Sequence, residues 1–420
     1  MKDPILDVAV IGAGHAGLSI SFYLKQLGFS HLVFEQKNIG NSWSTQRWDS
    51  FKLNTPNNFN LLPGMVYNFS NSDSFCTAAE FVDHLKSYVE TNELPVLENN
   101  KVSSVEKSPE SGLFSITVID NGKTEIYQSK KLVVASGSQN EKFVPLFKNG
   151  VSSEITQLHT SEYRNANELP AGAVLVIGSG QSGVQIAEDL VDSGRNVYLC
   201  TSLVARIPRR YRGKDIFSWL QLTGFFDQMP DDVPDPQMLK MKQPQVSGVG
   251  TKGKTISLQS LAKKGVTILG KMDNASGFQI TIQPNATEHV KFGDVFSNKV
   301  KFFVDEYISK NQIDAPPPNL DPADIADENA DCIAGETSIN LKEKNIQSII
   351  WTTGFVGDFG YLKLPVINAD GTLKHKNGIS EHEGLYFLGF PWLRKRKSGI
   401  VFGINEDSKF IAEQIQNEFS

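Results

Sequence analysis

An α/β fold of two parallel-sheet units, the first of them discontinuous along the chain, is what the sequence predicts. Three observations predict it. A short apolar run, a GxGxxG turn and an amphipathic stretch follow one another near the start, at Val8–Ile11, Gly12–Gly17 and residues 16–27. The same succession returns at Val174–Ile177, Gly178–Gly183 and on through Leu190, with Gly12, Gly14 and Gly17 matched by Gly178, Gly180 and Gly183 at one constant spacing of 166 residues. A late strand-and-helix pattern, Gly384–Gly389 then Glu406 to about Phe419, comes after both and is expected to return to the first unit. Apolar runs of this length suit strands buried on both faces, and an internal repeat of one supersecondary unit implies two copies of one fold. The expected architecture is two Rossmann-like dinucleotide-binding domains, at 1–165 with 332–420 and at 166–331.

In the first unit, Gly12 allows the tight turn, Gly14 lets a pyrophosphate approach the backbone, and Gly17 lets helix and strand pack closely. His15 and Ala16 open the helix, whose free N–H groups and partial positive charge favour an anion. The second strand, Leu32–Phe34, ends in Glu35, the acid expected on a ribose, with Gln36 beside it. A Gly-rich turn in an ordinary βαβ unit is the plainer alternative. An irregular aromatic and polar segment follows, with Gly40, Ser42, Trp43, Arg47, Trp48 and Asn54. Trp43 and Trp48 either shield a planar ring or fill the gap under the loop. Residues 77–91 predict an amphipathic helix with Thr77 as its N-cap. Lys101–Glu106 and Leu113–Ile119 predict strands, with a hairpin turn at Asn121-Gly122. Lys131–Ala135 predicts a buried strand that exits at Ser136-Gly137, bordering a bound dinucleotide.

The second unit differs where the first carries its acid. Glu35 corresponds to Thr201, so nothing there grips a free 2′-hydroxyl or repels a 2′-phosphate. Ser202 follows, then Arg206, Arg209, Arg210 and Arg212, whose forked donors suit phosphate. The first site is therefore expected to take FAD. The second, through Ser179, Gln181, Ser182, Thr201, Ser202, Arg206 and Arg209, is expected to take NADPH. A solvated basic patch is the other reading of the arginines. Pro170-Ala-Gly-Ala reads as a linker before this unit.

Beyond it, Met229–Pro236 and Pro244–Lys254 read as loops, Val266–Leu269 as a strand and Lys271–Ile282 as further β structure. Glu288–Asn311 reads as a helix whose aromatic stripe (Phe292, Phe296, Phe303, Tyr307) serves packing. Residues 321–331, rich in acids, read as a solvated loop. Ile346–Phe355 is again strand then glycine, with Thr353 and Gly354 at the turn.

Composition narrows the class. The chain has 420 residues and a formal charge of −6, which argues against nucleic acid as a partner. No apolar run reaches membrane-spanning length, and the start enters the first strand directly, so a cytoplasmic protein without a signal peptide is expected. Cys76, Cys200 and Cys332 form no CxxC, which argues against a redox-active dithiol and a zinc ribbon; no metal is expected.

These residues resemble the flavin-containing monooxygenase group, class B flavoproteins with two dinucleotide domains, and look closest to its bacterial oxidoreductase branch. The FAD motif stands as Gly12–Gly17 with Glu35, the NADP motif as Gly178–Gly183, the GxxW element as Gly40–Trp43, and the ATG turn as Thr352-Thr353-Gly354. The signature FxGxxxHxxxY is present in part, as His159 to Tyr163, without its leading Phe-x-Gly. Its final Tyr argues against the Baeyer–Villiger branch, and His159 with Tyr163 is equally readable as a packing pair between the domains. The resemblance implies that NADPH reduces FAD and that a flavin hydroperoxide delivers one oxygen atom of O2 to a small nucleophilic (N-, S- or carbonyl-containing) substrate. It also implies that Asn54 is catalytic at the reactive flavin edge. The rival readings are an NADPH-dependent FAD electron-transfer reductase without oxygen insertion, and a cofactor-binding protein without turnover. Substrate identity and oligomeric state, a homodimer included, stay open.

Overall fold

The computed structural model of the chain describes residues 5–65, 74–239, 244–246, 253–318, 320–325 and 335–419. The first unit begins with β1 (Leu6–Ile11), α1 (His15–Gln26), β2 (His31–Phe34), the short α2 (Asn41–Thr45), α3 (Ala78–Asn92) and β3 (Val96–Leu97). It continues through β4 (Asn100–Lys107), β5 (Phe114–Asp120) and β6 (Lys123–Val134). The sheet order is β3-β2-β1-β6-β5-β4. β6 is one long strand where the sequence suggests a turn and a separate later strand. Its outer part pairs antiparallel with β5 across Asn121-Gly122, both at positive φ as a tight hairpin turn requires, while Lys131–Val134 runs parallel to β1. One strand thus joins the hairpin to the nucleotide fold. The segment of Gly40–Trp43, expected to be irregular, turns into α2 because Trp43 packs edge-on against Phe81 of α3, with centroids 5.1 Å apart.

After β7 (Glu141–Lys142) and β8 (Thr156–His159), the second unit follows as β9 (Ala173–Ile177), α4 (Gln181–Asp192) and β10 (Val197–Cys200). Then come β11 (Arg210–Tyr211), β12 (Lys214–Asp215), α5 (Ile216–Leu222), α6 (Leu258–Lys263) and β13 (Thr267–Leu269). The chain goes on through β14 (Met272–Ser276), β15 (Gln279–Ile282), α7 (Ala286–Lys310), β16 (Ser338–Asn340) and β17 (Ile346–Trp351). β18 (Phe355–Val356), β19 (Leu385–Phe387) and α8 (Ile404–Phe419) complete it. The second sheet runs β13-β10-β9-β17-β8, all parallel. In the first sheet β19 pairs with β6, so its parallel part runs β3-β2-β1-β6-β19; the first four positions match the second sheet, but the fifth is the last strand of the chain here and the strand preceding β9 there.

This topology moves the expected boundaries. β8 and β17, which divisions at 165 and 332 assign to the first unit, are both strands of the second sheet, on one edge and beside β9. The crossings lie where β7 and β18 pair as a two-stranded strap. Pro170–Gly172 is accordingly an internal connection of the second unit, with the carbonyls of Ala166, Leu169, Pro170 and Gly172 all held by the Arg195 guanidinium. β19 and α8 do return to the first unit: α8 lies along α1, with Tyr23 donating to Asn405 at 2.6 Å.

Two further expectations shift. On α7 the buried line is His289, Gly293, Ser297, Val300, Val304 and Ile308; of the aromatic stripe, Phe296 packs against the same core, Phe292 and Tyr307 are half-buried, and Phe303 is 40% exposed. Small residues at Gly293 and Ser297 let the helix approach the loop after β10, which is why size alone misled. Within 321–325, Asp324 is not solvated but accepts from Arg206 and Lys301; residues 326–331, most of Pro244–Lys254, and Cys332 lie outside the described residues.

Candidate dinucleotide sites and the junction between them

The two cradles share their backbone turn geometry. The N–H of Gly12 donates to Phe34 O and that of Gly178 to Cys200 O, both at 2.8 Å. Gly12 and Gly178 sit at φ of 102° and 106°, where a side chain would strain the backbone. A Cβ on Gly17 would lie 1.8 Å from Gly12 O, and one on Gly183 would lie 1.9 Å from Gly178 O. A Cβ on Gly14 or Gly180 would meet nothing within 4 Å. The outer glycines therefore serve packing, and the middle glycine of each cradle faces open space. His15 and Gln181, the matching residues after these glycines, each leave a buried side-chain nitrogen without a partner, His15 Nε2 and Gln181 Nε2. A buried polar nitrogen without a partner is costly, so one on each helix N-terminus marks where a bound group belongs. Ala16 and Ser182 stand on the same first turns, Ala16 where a Cβ on Gly389 would come within 2.6 Å. The residues present fit two dinucleotides.

The ends of the second strands differ as the sequence implies. Glu35 is buried; its carboxylate accepts from the N–H of Ala13 at 2.9 Å and of Lys37 at 3.0 Å, and burial pushes its pKa up. It lines a cavity of about 330 Å³ with Gly12, Gln36, Lys101, Ser136 and Tyr361. Gly137, next to Ser136, has φ +76 and space where a Cβ would be. In the second unit the tie across the turn is made from the other side. Ser179 Oγ accepts from Ser202 N at 3.0 Å and donates to its carbonyl, leaving Ser202 Oγ buried without a partner. Thr201 Oγ1 is committed to Leu269 O at 2.7 Å and lies 2.8 Å from His289 Nδ1.

Arg206 and Arg212 are answered by acids far away in sequence, and Arg209 by Asp215 close by. Arg206 is buried, bound to Asp294 at 2.6 Å and to Asp324, which also holds Lys301. Arg212 pairs with Asp305 at 2.9 Å. Arg209, expected at a coenzyme phosphate, is instead wholly buried. It pairs with Asp215 at 2.8 Å, stacks on Phe75 at 4.3 Å, and donates Nη1 to the backbone oxygen of Asn54 at 2.6 Å. Neither the solvated patch nor an open phosphate clamp describes Arg209: its reach is toward the first unit.

At that junction Asn54 is held twice. Besides Arg209 on its carbonyl, Gln185 Nε2 of α4 donates to its Oδ1 at 3.0 Å. Gln185 stands one turn beyond Gln181 and was not legible as a site residue, since its place on a helix face gave no signal. Ser42 and Trp43 lie on α2, where Trp43 packs on Phe81 and beneath Arg47 at 4.9 Å. Trp48 is buried against Phe51. Trp48 fills the gap under the loop, whereas Trp43 is half-buried and lines a cavity of about 330 Å³ with Arg47, Trp48 and Phe51. His159 Nε2 lies 2.9 Å from Gly354 O, and burial lowers its pKa. Tyr163 is buried and donates to Asp189 at 2.6 Å, whose other oxygen accepts from Ser50 of the first unit, also at 2.6 Å. Tyr163 thus reaches the first unit through Asp189, while His159 is held beside the strap by Gly354 and Phe355. Of the Thr352–Gly354 turn, Thr352 closes the second cradle, donating to Ile177 O and Gly178 O at 2.8 and 2.9 Å. Thr353 instead reaches Phe143 O in the strap.

Residues 9–218 match the pyridine nucleotide-disulphide oxidoreductase family. An uncharacterized CzcO-like oxidoreductase of Geobacillus kaustophilus is 31% identical over 98% of this chain and 99% of its own length. The probable indole-3-pyruvate monooxygenase YUCCA3 of Arabidopsis thaliana is 27% identical over 98% of this chain and 86% of its own. Among solved structures, a flavin-containing monooxygenase from Stenotrophomonas maltophilia superposes with a TM-score of 0.65 at 18% identity, covering 99% of both chains. A bacillithiol disulfide reductase from Staphylococcus aureus does so with a TM-score of 0.61 at 13% identity, again covering 99% of each. The fold and cradles define a two-dinucleotide flavoprotein-type oxidoreductase. The chain belongs to the pyridine nucleotide-disulphide oxidoreductase family, with flavin monooxygenases among its relatives. Among the described residues no helix is long and apolar enough to cross a membrane, and no cluster of His, Cys, Asp or Glu could hold a metal. Cys76 and Cys200 are both buried free thiols.

Proposed function

We propose that this chain is an NADPH-dependent flavin monooxygenase that inserts one oxygen atom from O2 into a small nucleophilic substrate. The observation that carries the reading is the junction: the loop of the FAD-type unit is fastened, at Asn54, to the helix and arginine of the NADPH-type unit. FAD would lie on Gly12, Gly14, His15 and Gly17 with its ribose at Glu35 and Gln36. NADPH would lie on Gly178, Gly180, Gln181 and Gly183 with its ribose at Thr201 and Ser202. Arg206, balanced by Asp294 and Asp324, would present the 2′-phosphate side of that site. FAD, when bound and reduced by NADPH, supplies the oxygen chemistry. The chain positions the two coenzymes and lets Asn54 donate a hydrogen bond at the flavin edge.

The test is an NADPH-oxidation screen of the purified yellow protein against amines, sulfides and carbonyl compounds, scoring oxygenated product against hydrogen peroxide. Product formed in proportion to NADPH supports insertion. Consumption that yields only peroxide or a reduced acceptor with every compound makes the chain a reductase.

A further inference from the structure

We propose that Gln185 is a positioning residue that sets which end of the Asn54 amide faces the flavin; the inference rests on the function proposed above. Asn54 carries one side-chain acceptor and one doubly donating nitrogen. Its carbonyl is fixed by Arg209 and its Oδ1 by Gln185, and its Nδ2 has no partner among the described residues. Both the peptide and the amide are therefore pinned, and the group left to meet a ligand is the NH2.

The pairing has two possible senses, because an amide can be turned end for end. In the sense observed, Gln185 donates and its own Oε1 is left buried without a partner. In the reverse sense Asn54 would donate, its Oδ1 would face the ligand, and Gln185 Nε2 would be the buried orphan. A buried N–H without a partner is rarer than a buried carbonyl without one, so the sense in which Gln185 donates is preferred. Gln185 is itself anchored on α4 one turn after the cradle of Gly178–Gly183. The NADPH-type helix thus dictates the polarity of a hydrogen bond offered to the FAD-type unit. A donor at the flavin edge favours the electron-rich reduced ring, and an acceptor disfavours it.

Gln185→Glu keeps the shape but removes the donor, so Asn54 must donate to it and present Oδ1 instead. The midpoint potential of the bound FAD is expected to shift negative, and the share of NADPH ending as peroxide is expected to rise severalfold. Gln185→Leu adds no charge and frees the amide, so it should raise the peroxide share as well. The decisive comparison is made in Asn54→Ala. There the potential shift from Gln185→Glu should shrink to what its charge alone contributes. A shift of equal size with and without Asn54 overturns the proposal, as does a potential and peroxide share unchanged in both Gln185 variants that retain FAD. If Gln185→Glu fails to fold, Gln185→Leu in the two backgrounds decides by the same comparison of peroxide shares. Failure of wild type to bind FAD at all would instead overturn the function on which this rests.

Discussion

Gly17 and Gly183 tolerate no methyl group, because a Cβ would lie under 2 Å from a carbonyl oxygen of the same turn. Gly17→Ala is expected to abolish stable folding of the first unit, seen as loss of a cooperative thermal transition; an unchanged melting temperature would refute this packing role. At Arg206 two roles compete, and one variant separates them. Arg206→Ala leaves Asp294 without its arginine and Asp324 with Lys301 alone. The loss of one partner of a buried ion pair costs about 3–5 kcal/mol. The melting temperature should therefore fall, and the KM for NADPH should rise while that for NADH barely moves. Equal effects on the two coenzymes remove Arg206 from the phosphate site. The outer glycines were legible in the sequence because positive φ and close packing leave no room for a side chain there, and Glu35 because an acid is expected at the end of the second strand. The partners of Arg206, Arg209 and Arg212 were not: Asp294 and Asp305 lie on α7, Asp324 beyond it, and Asp215 opposite Arg210 in a two-residue hairpin strand.

Among elements, α3 shows how local signals set a distant wall. Thr77 Oγ1 accepts from Glu80 N at 3.2 Å, and the Glu80 carboxylate accepts from Thr77 N at 2.7 Å, a reciprocal cap. The helix then holds Phe81 against Trp43 and so fixes α2. Thr77→Ala should cost about 1 kcal/mol, read as a lower denaturation midpoint with an unchanged slope; a change within error would leave the cap without weight. Helices and strands with strong caps or turns, such as α3 and the Asn121-Gly122 hairpin, could be read directly. β8 and β17 could not be assigned to a sheet, because a short apolar run such as Ile346–Trp351 states that it is buried but not beside which strand. For α7, His289, Gly293 and Ser297 begin the buried face and Val300, Val304 and Ile308 continue it, so hydrophobic periodicity registers only its second half.

For the molecule as a whole, buried histidines set the acid limit. His31 lies 2.8 Å from Ser21 Oγ, and burial lowers its pKa below the ordinary 6.5. The unfolded chain binds this proton more readily than the folded one, so its contribution is complete above about pH 6.5 and is lost as the pH falls below it. The melting temperature of wild type should drop more steeply below pH 6.5 than that of His31→Gln, and parallel curves would contradict the sign. At the same scale, the repeat at 166 residues correctly announced two units, yet the expected boundary at 165 failed because the strap of β7 and β18, not Pro170, is where the chain crosses. The central claim is that the twin cradles divide the labour, FAD on the first and NADPH on the second. Because a methyl group at Gly14 or Gly180 meets no protein atom within 4 Å, both alanine variants should fold and differ only in what they bind. The most direct measurement is therefore the FAD retained after purification and the KM for NADPH in Gly14→Ala and Gly180→Ala. The account predicts that Gly14→Ala sheds its flavin, and that Gly180→Ala keeps it while its KM for NADPH rises at least tenfold, a loss of about 1.4 kcal/mol. A Gly180→Ala protein that loses FAD, or a Gly14→Ala protein that retains it fully, would contradict the assignment.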